Sequence, residues 1–241
     1  MKKLALWAIL CAFAFATPAS AQNVGSPFKV HPIPAHPCNA ENFVQQCAFN
    51  APGQVGGLGL VGGFGARFGL DFAWPSLPAS VAKADGAHFA IGYLSDTDKD
   101  WPDYLLHDYT NAGLGVGFVW ETSQYRPTDG CDAGIDDAYA AQDELNSLGY
   151  RDAVVYFASD FDTSYYGPNS SVGSYYACAR SVLGSRTGAY GGLQTMRIAA
   201  DVGVPNLWQT IAWSWGEWTN ACVRQTSIND YFAGHSSDYD W

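Results

Sequence analysis

The pattern of apolar and polar positions changes near Arg67. From residue 68 on, short runs rich in Val, Ile, Phe, Tyr and Trp alternate with segments whose apolar residues recur three and four apart. That alternation is the signature of parallel strands joined by crossover helices. The runs predict strands over 68–72, 88–94, 114–120, 153–159, 187–190, 207–212 and 222–227, and the periodic segments predict helices over 101–111, 135–148, 172–183 and 193–202. The helix from Val172 is the clearest, because Val172, Tyr175, Tyr176, Ala179, Val182 and Leu183 share one side at helical spacing. The last two strands leave no room for a helix between them. The expected fold is therefore α/β, an irregular TIM-like β/α barrel with about five β/α units followed by bare strands.

Before residue 68 the texture differs. Lys2 and Lys3, the apolar run over 4–16 and the small residues Thr17-Pro18-Ala19-Ser20-Ala21 have the three-part layout of a secretory signal peptide over 1–21, cleaved near Ala21. The run is shorter than the roughly 20 residues a membrane span needs, so no membrane span is expected and the mature chain is expected to be secreted or periplasmic. Residues 22–67 carry Pro27, Pro32, Pro34, Pro37 and Pro52 and then a glycine-dense stretch, which reads as a poorly ordered Pro/Gly-rich leader ahead of a barrel domain over 68–241.

Charge narrows the partners. The chain carries a formal net charge of −11, and loss of Lys2 and Lys3 makes the mature form more acidic still. Nucleic acid and anionic lipid are bound through basic surface, so neither is expected as a partner. After removal of Cys11 with the signal, Cys38, Cys47, Cys131, Cys178 and Cys222 remain for one or two disulfides, with Cys38–Cys47 the first expectation and the rest unassigned. His31, His36, His88, His107 and His235 are scattered, no zinc-type spacing is present, and neither a metal nor another cofactor is expected.

In parallel β/α folds the chemistry sits where strands end. Four carboxylates stand there: Asp71 in the first strand, Glu121 after Phe118-Val119-Trp120, and Asp160 and Asp162 after Val154-Val155-Tyr156-Phe157-Ala158-Ser159. Asp96, Asp98, Lys99 and Asp100 also follow a strand but read as a solvated loop. Residues i and i+2 on a strand point the same way with Cα atoms about 6.6 Å apart, so Asp160 and Asp162 are expected to share a face. Their carboxyls then fall within the roughly 5–9.5 Å range in which glycosidases pair a proton donor with an anion. Taken singly, each acid reads equally well as a helix cap or a loop ligand; four together favour a site. Aromatic and polar residues near the same ends, Trp74, Tyr93, Trp120, Tyr190, Trp208, Gln209 and Gln225, are the expected substrate contacts, with core packing the plainer alternative for any one ring.

As a set, these residues resemble the glycoside-hydrolase-like domain family of unknown function that is related to the glycoside hydrolase family 25 lysozymes. The features that carry the resemblance are Gly69-Leu70-Asp71, Ile91-Gly92-Tyr93-Leu94, Val119-Trp120-Glu121, Tyr156-Phe157-Ala158-Ser159-Asp160-Phe161-Asp162 and Gly188-Ala189-Tyr190-Gly191, with weaker echoes in Leu207-Trp208-Gln209 and Asp238-Tyr239-Asp240. The resemblance implies a cleft at the strand C-termini and a peptidoglycan muramidase as the nearest activity. It also marks a departure. The lysozymes carry Asp-x-Glu on the fourth strand, with Glu as general acid, where this chain has Asp160-Phe161-Asp162. A side chain one methylene shorter withdraws the acid by about 1 Å, a misplacement that can cost roughly 10²-fold. The leading expectation is a hydrolase of cell-wall or related polysaccharide, with Asp162 as acid, Asp160 as its partner, and Asp71 and Glu121 in support; Glu121 is the alternative acid. The competing expectation is a non-catalytic carbohydrate-binding protein on the same barrel.

Overall fold

Eight strands close into one barrel in the order β1 to β8. The computed structural model describes residues 68–74, 77–95, 97–165, 169–232 and 235–240. The signal peptide over 1–21, the leader over 22–67 and the Cys38–Cys47 pair lie outside the described residues. Strands β1 (Gly69–Asp71), β2 (Phe89–Leu94), β3 (Gly115–Trp120), β4 (Val155–Ala158), β5 (Thr187–Gly191) and β6 (Asn206–Gln209) alternate with helices α1 (Ala79–Ala84), α2 (Asp103–Asn111), α3 (Cys131–Leu148), α4 (Asn169–Leu183) and α5 (Leu193–Asp201). Strands β7 (Val223–Phe232) and β8 (His235–Asp240) follow without a helix, so five β/α units are closed by bare strands. Pairing is parallel from β1 through β7, and β8 runs antiparallel to both β7 and β1.

Period-two alternation sorts each strand into two layers. Outward residues such as Leu70, Phe118, Val155 and Phe157 meet the helices in the larger core. Inward residues Phe89, Ile91, Val119, Tyr156, Ala158, Trp208 and Val223 fill the barrel itself. So narrow a barrel needs small residues opposite large ones. At Gly188 a Cβ would stand 2.6 Å from the Tyr156 ring, so any larger residue there displaces the tyrosine from the packed interior.

The helices bury the sides their spacing dictates. On α4, Val172, Tyr175, Tyr176, Ala179 and Leu183 are buried, as the apolar periodicity predicts. Helix α3 begins at Cys131 rather than at the expected residue 135. Its first turn leaves no apolar period to read, because it packs through glycine: a Cβ on Gly134 would stand 2.2 Å from the Tyr175 carbonyl, so α3 and α4 approach backbone to backbone there. The Cys131–Cys178 disulfide, with Cα atoms 5.3 Å apart and a sequence separation of 47, fastens the same two helices. Closing a loop of that length restrains the unfolded chain by about 3–4 kcal/mol. The bond is consistent with an extracytoplasmic location. No helix among the described residues is long and apolar enough to cross a membrane.

Candidate active site

Alternation continues past the apolar plug and decides which polar side chains reach the barrel mouth. Inward of Phe89 and Ile91 on β2 comes Tyr93; after Val119 comes Glu121; after Tyr156 and Ala158 comes Asp160; after Gly188 comes Tyr190; after Trp208 comes Thr210; after Val223 comes Gln225. Because β8 is antiparallel, its partners to Gly69 and Asp71 are Asp240 and Asp238, which puts Asp238 at the mouth and Asp240 one layer below it. Acids from β1, β3, β4 and β8 thus converge. Burial, followed by the charges of Asp71, Glu121, Asp160 and Asp238, holds the Tyr93 hydroxyl far above its ordinary pKa, so Tyr93 remains a hydrogen-bond donor among these acids. Tyr190 is raised in the same way by burial, Asp160 and Asp71.

The β1–β8 side of the mouth is arranged so that burial and like charge favour a protonated carboxyl. Gln225 Nε2 donates to Asp71 Oδ2 at 3.1 Å and to Asp238 Oδ2 at 2.9 Å, and its Oε1 accepts from Thr210 Oγ1, which fixes the amide's orientation. Trp208 Nε1 donates to Asp240 Oδ1 at 2.9 Å. Asp240 Oδ2 is buried and receives no donor while both carboxyls are ionised. A proton on Asp71 supplies that donor: Asp71 and Asp240 interact through their side chains, and burial followed by the Asp240 and Asp238 charges pushes Asp71 well above the usual carboxylate range. Burial pushes Asp240 up to about 7, against the lowering effect of its bonds from Asp71 and Trp208.

The β3–β4 side is open by comparison. Glu121 is only 8% exposed, and burial raises its pKa; the Lys99 hydrogen bond and charge lower it, and the Asp160 charge raises it. Lys99 Nζ stands 2.8 Å from Glu121 Oε1 and 5.2 Å above the Tyr93 ring. The loop carrying it is organised rather than solvated: Asp100 Oδ2 accepts from the Thr97 amide at 3.1 Å, and Ser95 Oγ donates to the Glu121 carbonyl at 2.9 Å. The segment after Glu121 is pinned by Arg126, whose Nε lies 3.0 Å from the buried Asp137, itself accepting from Tyr175 at 2.7 Å. Tyr125 stacks on Phe161 with centroids 5.1 Å apart, joining the loops after β3 and β4.

Several sequence expectations are redrawn by these contacts. Asp160 and Asp162 do not share a strand face, because β4 ends at Ala158 and the chain then turns: Asp162 Oδ1 accepts from the Ser164 amide at 2.9 Å and from its hydroxyl. Trp120 lies between inward Val119 and inward Glu121, so it points out into the helix-facing core. Trp208 is fully buried in the barrel floor. Gln209 faces outward and holds the following loop, donating to Ser214 Oγ at 3.1 Å and the Gly216 carbonyl at 2.8 Å. Of the expected contacts, Tyr93, Tyr190 and Gln225 line the mouth, and Trp74, 57% exposed, stands on the loop after β1. Asp238 and Asp240, which the sequence offers only as a weak echo of the family pattern, and Lys99 and Thr210, which it does not mark as site residues, belong to the site as well. The available signal was the i, i+2 spacing of Asp238 and Asp240, the same spacing that drew attention to Asp160 and Asp162. Among the described residues no cluster of His, Cys, Asp and Glu is arranged to hold a metal ion.

Comparison with known proteins adds the following. The model of the Rv2525c-like, glycoside hydrolase-like domain matches residues 80–239. No curated protein sequence matches significantly. Among solved structures, the Tat-secreted protein Rv2525c of Mycobacterium tuberculosis, crystallised with L-tartrate, is 25% identical with a TM-score of 0.65, over 73% of this chain and 95% of that one. A muramidase from Trichobolus zukalii is 17% identical with a TM-score of 0.53, over 73% and 93%. A glycosyl hydrolase 25 of Streptococcus pneumoniae that participates in host cell invasion is 12% identical with a TM-score of 0.50, over 84% and 92%. The last two bear on the fold alone.

Proposed function

The chain belongs to the family of Rv2525c-like, glycoside hydrolase-like domains, and from that premise we propose that it is an exported hydrolase of a cell-wall or related polysaccharide, with Glu121 as proton donor and Asp160 as the facing carboxylate. The observation that carries this reading is the convergence of acids from four strands around the Tyr93 hydroxyl. Within that group Glu121 meets the requirement of a general acid: burial and the Asp160 charge favour its protonated form. Glu121 delivers its proton to the glycosidic oxygen as the bond to the sugar breaks. Asp160, just past the end of the neighbouring strand, faces the positive charge that develops on the sugar ring; water then adds at the anomeric carbon and its proton restores Glu121. Tyr93 and Tyr190 keep their protons and donate to sugar oxygens. Asp71 and Asp240 hold their shared proton below, which limits the negative charge that the mouth would otherwise concentrate.

A second reading, a carbohydrate-binding protein without turnover, is favoured by one contact. Lys99 at 2.8 Å stabilises Glu121 as an anion, and a glutamate locked in that pair gives up no proton. Incubation of purified peptidoglycan with the wild-type protein and with Glu121→Gln, followed by mass spectrometry and reducing-end assay, separates the two. New reducing ends from the wild type, absent with Glu121→Gln although binding persists, support hydrolysis. Binding by both without new reducing ends sinks it in favour of the binding protein.

A further inference from the structure

The segment over 210–222, between β6 and β7, carries more exposed aromatic surface than folding can use. Trp213 is 42% and Trp215 84% exposed, with Ile211 beside them at 43%. Isolated apolar residues on a surface are ordinary, but three large ones within five positions form a patch. This patch is also rigid. Ser214 Oγ donates to the Thr210 carbonyl at 2.6 Å and accepts from the Leu193 amide at 3.2 Å and from Gln209 Nε2 at 3.1 Å. Gln209 in turn donates to the Gly216 carbonyl at 2.8 Å and accepts from the Trp218 amide at 2.7 Å. A buried glutamine and one serine thereby fix both ends of the turn bearing the two rings. The backbone is pressed against α5 as well, since a Cβ on Gly192 would stand 2.4 Å from the Trp213 carbonyl. Trp213 holds φ at 53°, in the left-handed region that a tryptophan adopts at a cost. Trp74, exposed on the loop after β1, holds φ at 54°. An exposed tryptophan held in strained backbone by such a brace, as Trp213 is, is arranged for something outside the chain.

We infer that Trp213 and Trp215 form a preorganised stacking platform that holds sugar rings of a glycan chain lying beyond the acidic mouth. The inference extends the polysaccharide reading of the mouth and rests on it for the identity of the occupant. Three observations select a glycan. Indole rings offer flat faces to the C–H faces of sugars while leaving sugar hydroxyls in water. The net charge of −11 disfavours anionic polymers and membranes. The platform is also continuous with the mouth: Thr210, the first residue of the loop, donates to Gln225, and Gln225 donates to Asp71. A chain with one unit at the mouth has its next units over this loop. The brace removes the entropy cost of ordering the rings on binding, so the platform adds affinity without taking part in bond cleavage.

Binding of chitohexaose, chitobiose and peptidoglycan sacculi to the full chain tests this, using Trp215→Ala, Trp213→Ala and the brace variant Ser214→Ala beside wild type. The expected result is about tenfold weaker binding of chitohexaose and sacculi by the tryptophan variants, with chitobiose binding and unfolding temperature unchanged for Trp215→Ala. Ser214→Ala keeps both rings and loosens the loop; it raises KM for long substrates while kcat for short ones is unchanged. Equal binding of long and short oligosaccharides by wild type, Trp213→Ala and Trp215→Ala overturns the platform, as does weakened self-association of the variants with glycan binding intact, which would assign the patch to a second copy of the chain. If the wild type hydrolyses nothing but Trp215→Ala loses sacculi, the platform stands and the hydrolase reading fails. If hydrolysis is seen and Trp215→Ala binds like wild type, the reverse holds.

Discussion

The chain contains two Asp-aromatic-Asp tripeptides, and they do different things. Asp238-Tyr239-Asp240 lies inside β8, where regular pairing with β1 sets Asp238 and Asp240 opposite Asp71 and Gly69, so both carboxyls face the barrel interior even though the β7 side of the ladder is bulged. Asp160-Phe161-Asp162 begins after β4 has ended, so Asp160 keeps the inward direction of Ala158 while Asp162 is captured by Ser164 in a local turn. Strand pairing, rather than the tripeptide, decides the outcome. Paired, the motif buries an acid beside Asp71, whose carboxyl is pushed toward its protonated form by burial and by the Asp240 and Asp238 charges. Unpaired, it leaves a single carboxylate at the mouth beside Glu121.

Replacing each acid of the unpaired motif in turn gives the largest separation. Asp160→Asn is expected to lower the rate of reducing-end release by about 10²-fold or more, while Asp162→Asn, which loses only the turn, leaves it within a few-fold. The reverse order in that assay breaks the comparison.

Stability against pH is the next effect. The folded-state value of about 7 for Asp240 lies above the ordinary 3.8. Its contribution is therefore fully present below about pH 4 and is lost as pH rises through about 7. Asp240→Asn keeps an oxygen for Trp208 and gains an N–H for Asp71, so at pH 8 it is expected to be more stable than wild type by about 2–4 kcal/mol, with a flatter pH profile in denaturant titrations. Trp208→Phe removes the donor and leaves Asp240 Oδ1 buried without a partner, a loss of about 1–3 kcal/mol. That loss is larger at pH 8 than at pH 5 in paired melts, because it falls on the ionised form. The smallest effect belongs to Ser164→Ala, where loss of the hydroxyl bond to Asp162, with the backbone amide bond kept, costs under about 1 kcal/mol of unfolding free energy and leaves glycan turnover unchanged.

What was legible in the sequence follows the same logic. The barrel, four of its five helical crossovers and the buried side of α4 could be read because apolar residues recur there at the period of the element. Strand β8 was not read as a strand. Its inward positions are the acids of the site, so His235-Ser236-Ser237-Asp238-Tyr239-Asp240 has no apolar alternation. Helix α1, six residues of mixed polarity, left no periodic trace either. For single residues the difficulty was parity. Trp120 and Gln209 stand next to inward residues, and one step of register turns each to the other face. Lys99 was hidden by its acidic neighbours, and only the folded loop brings its ammonium to Glu121.

The central claim is that the β8 motif stores a proton against Asp71, and carboxyl-carbon NMR titration of the aspartates reads it directly. One aspartate titrating near pH 7 in the wild type, and lost in Asp240→Asn, is the predicted result. Ordinary acidic titration of every aspartate, with Asp240→Asn changing none of the others, would contradict it.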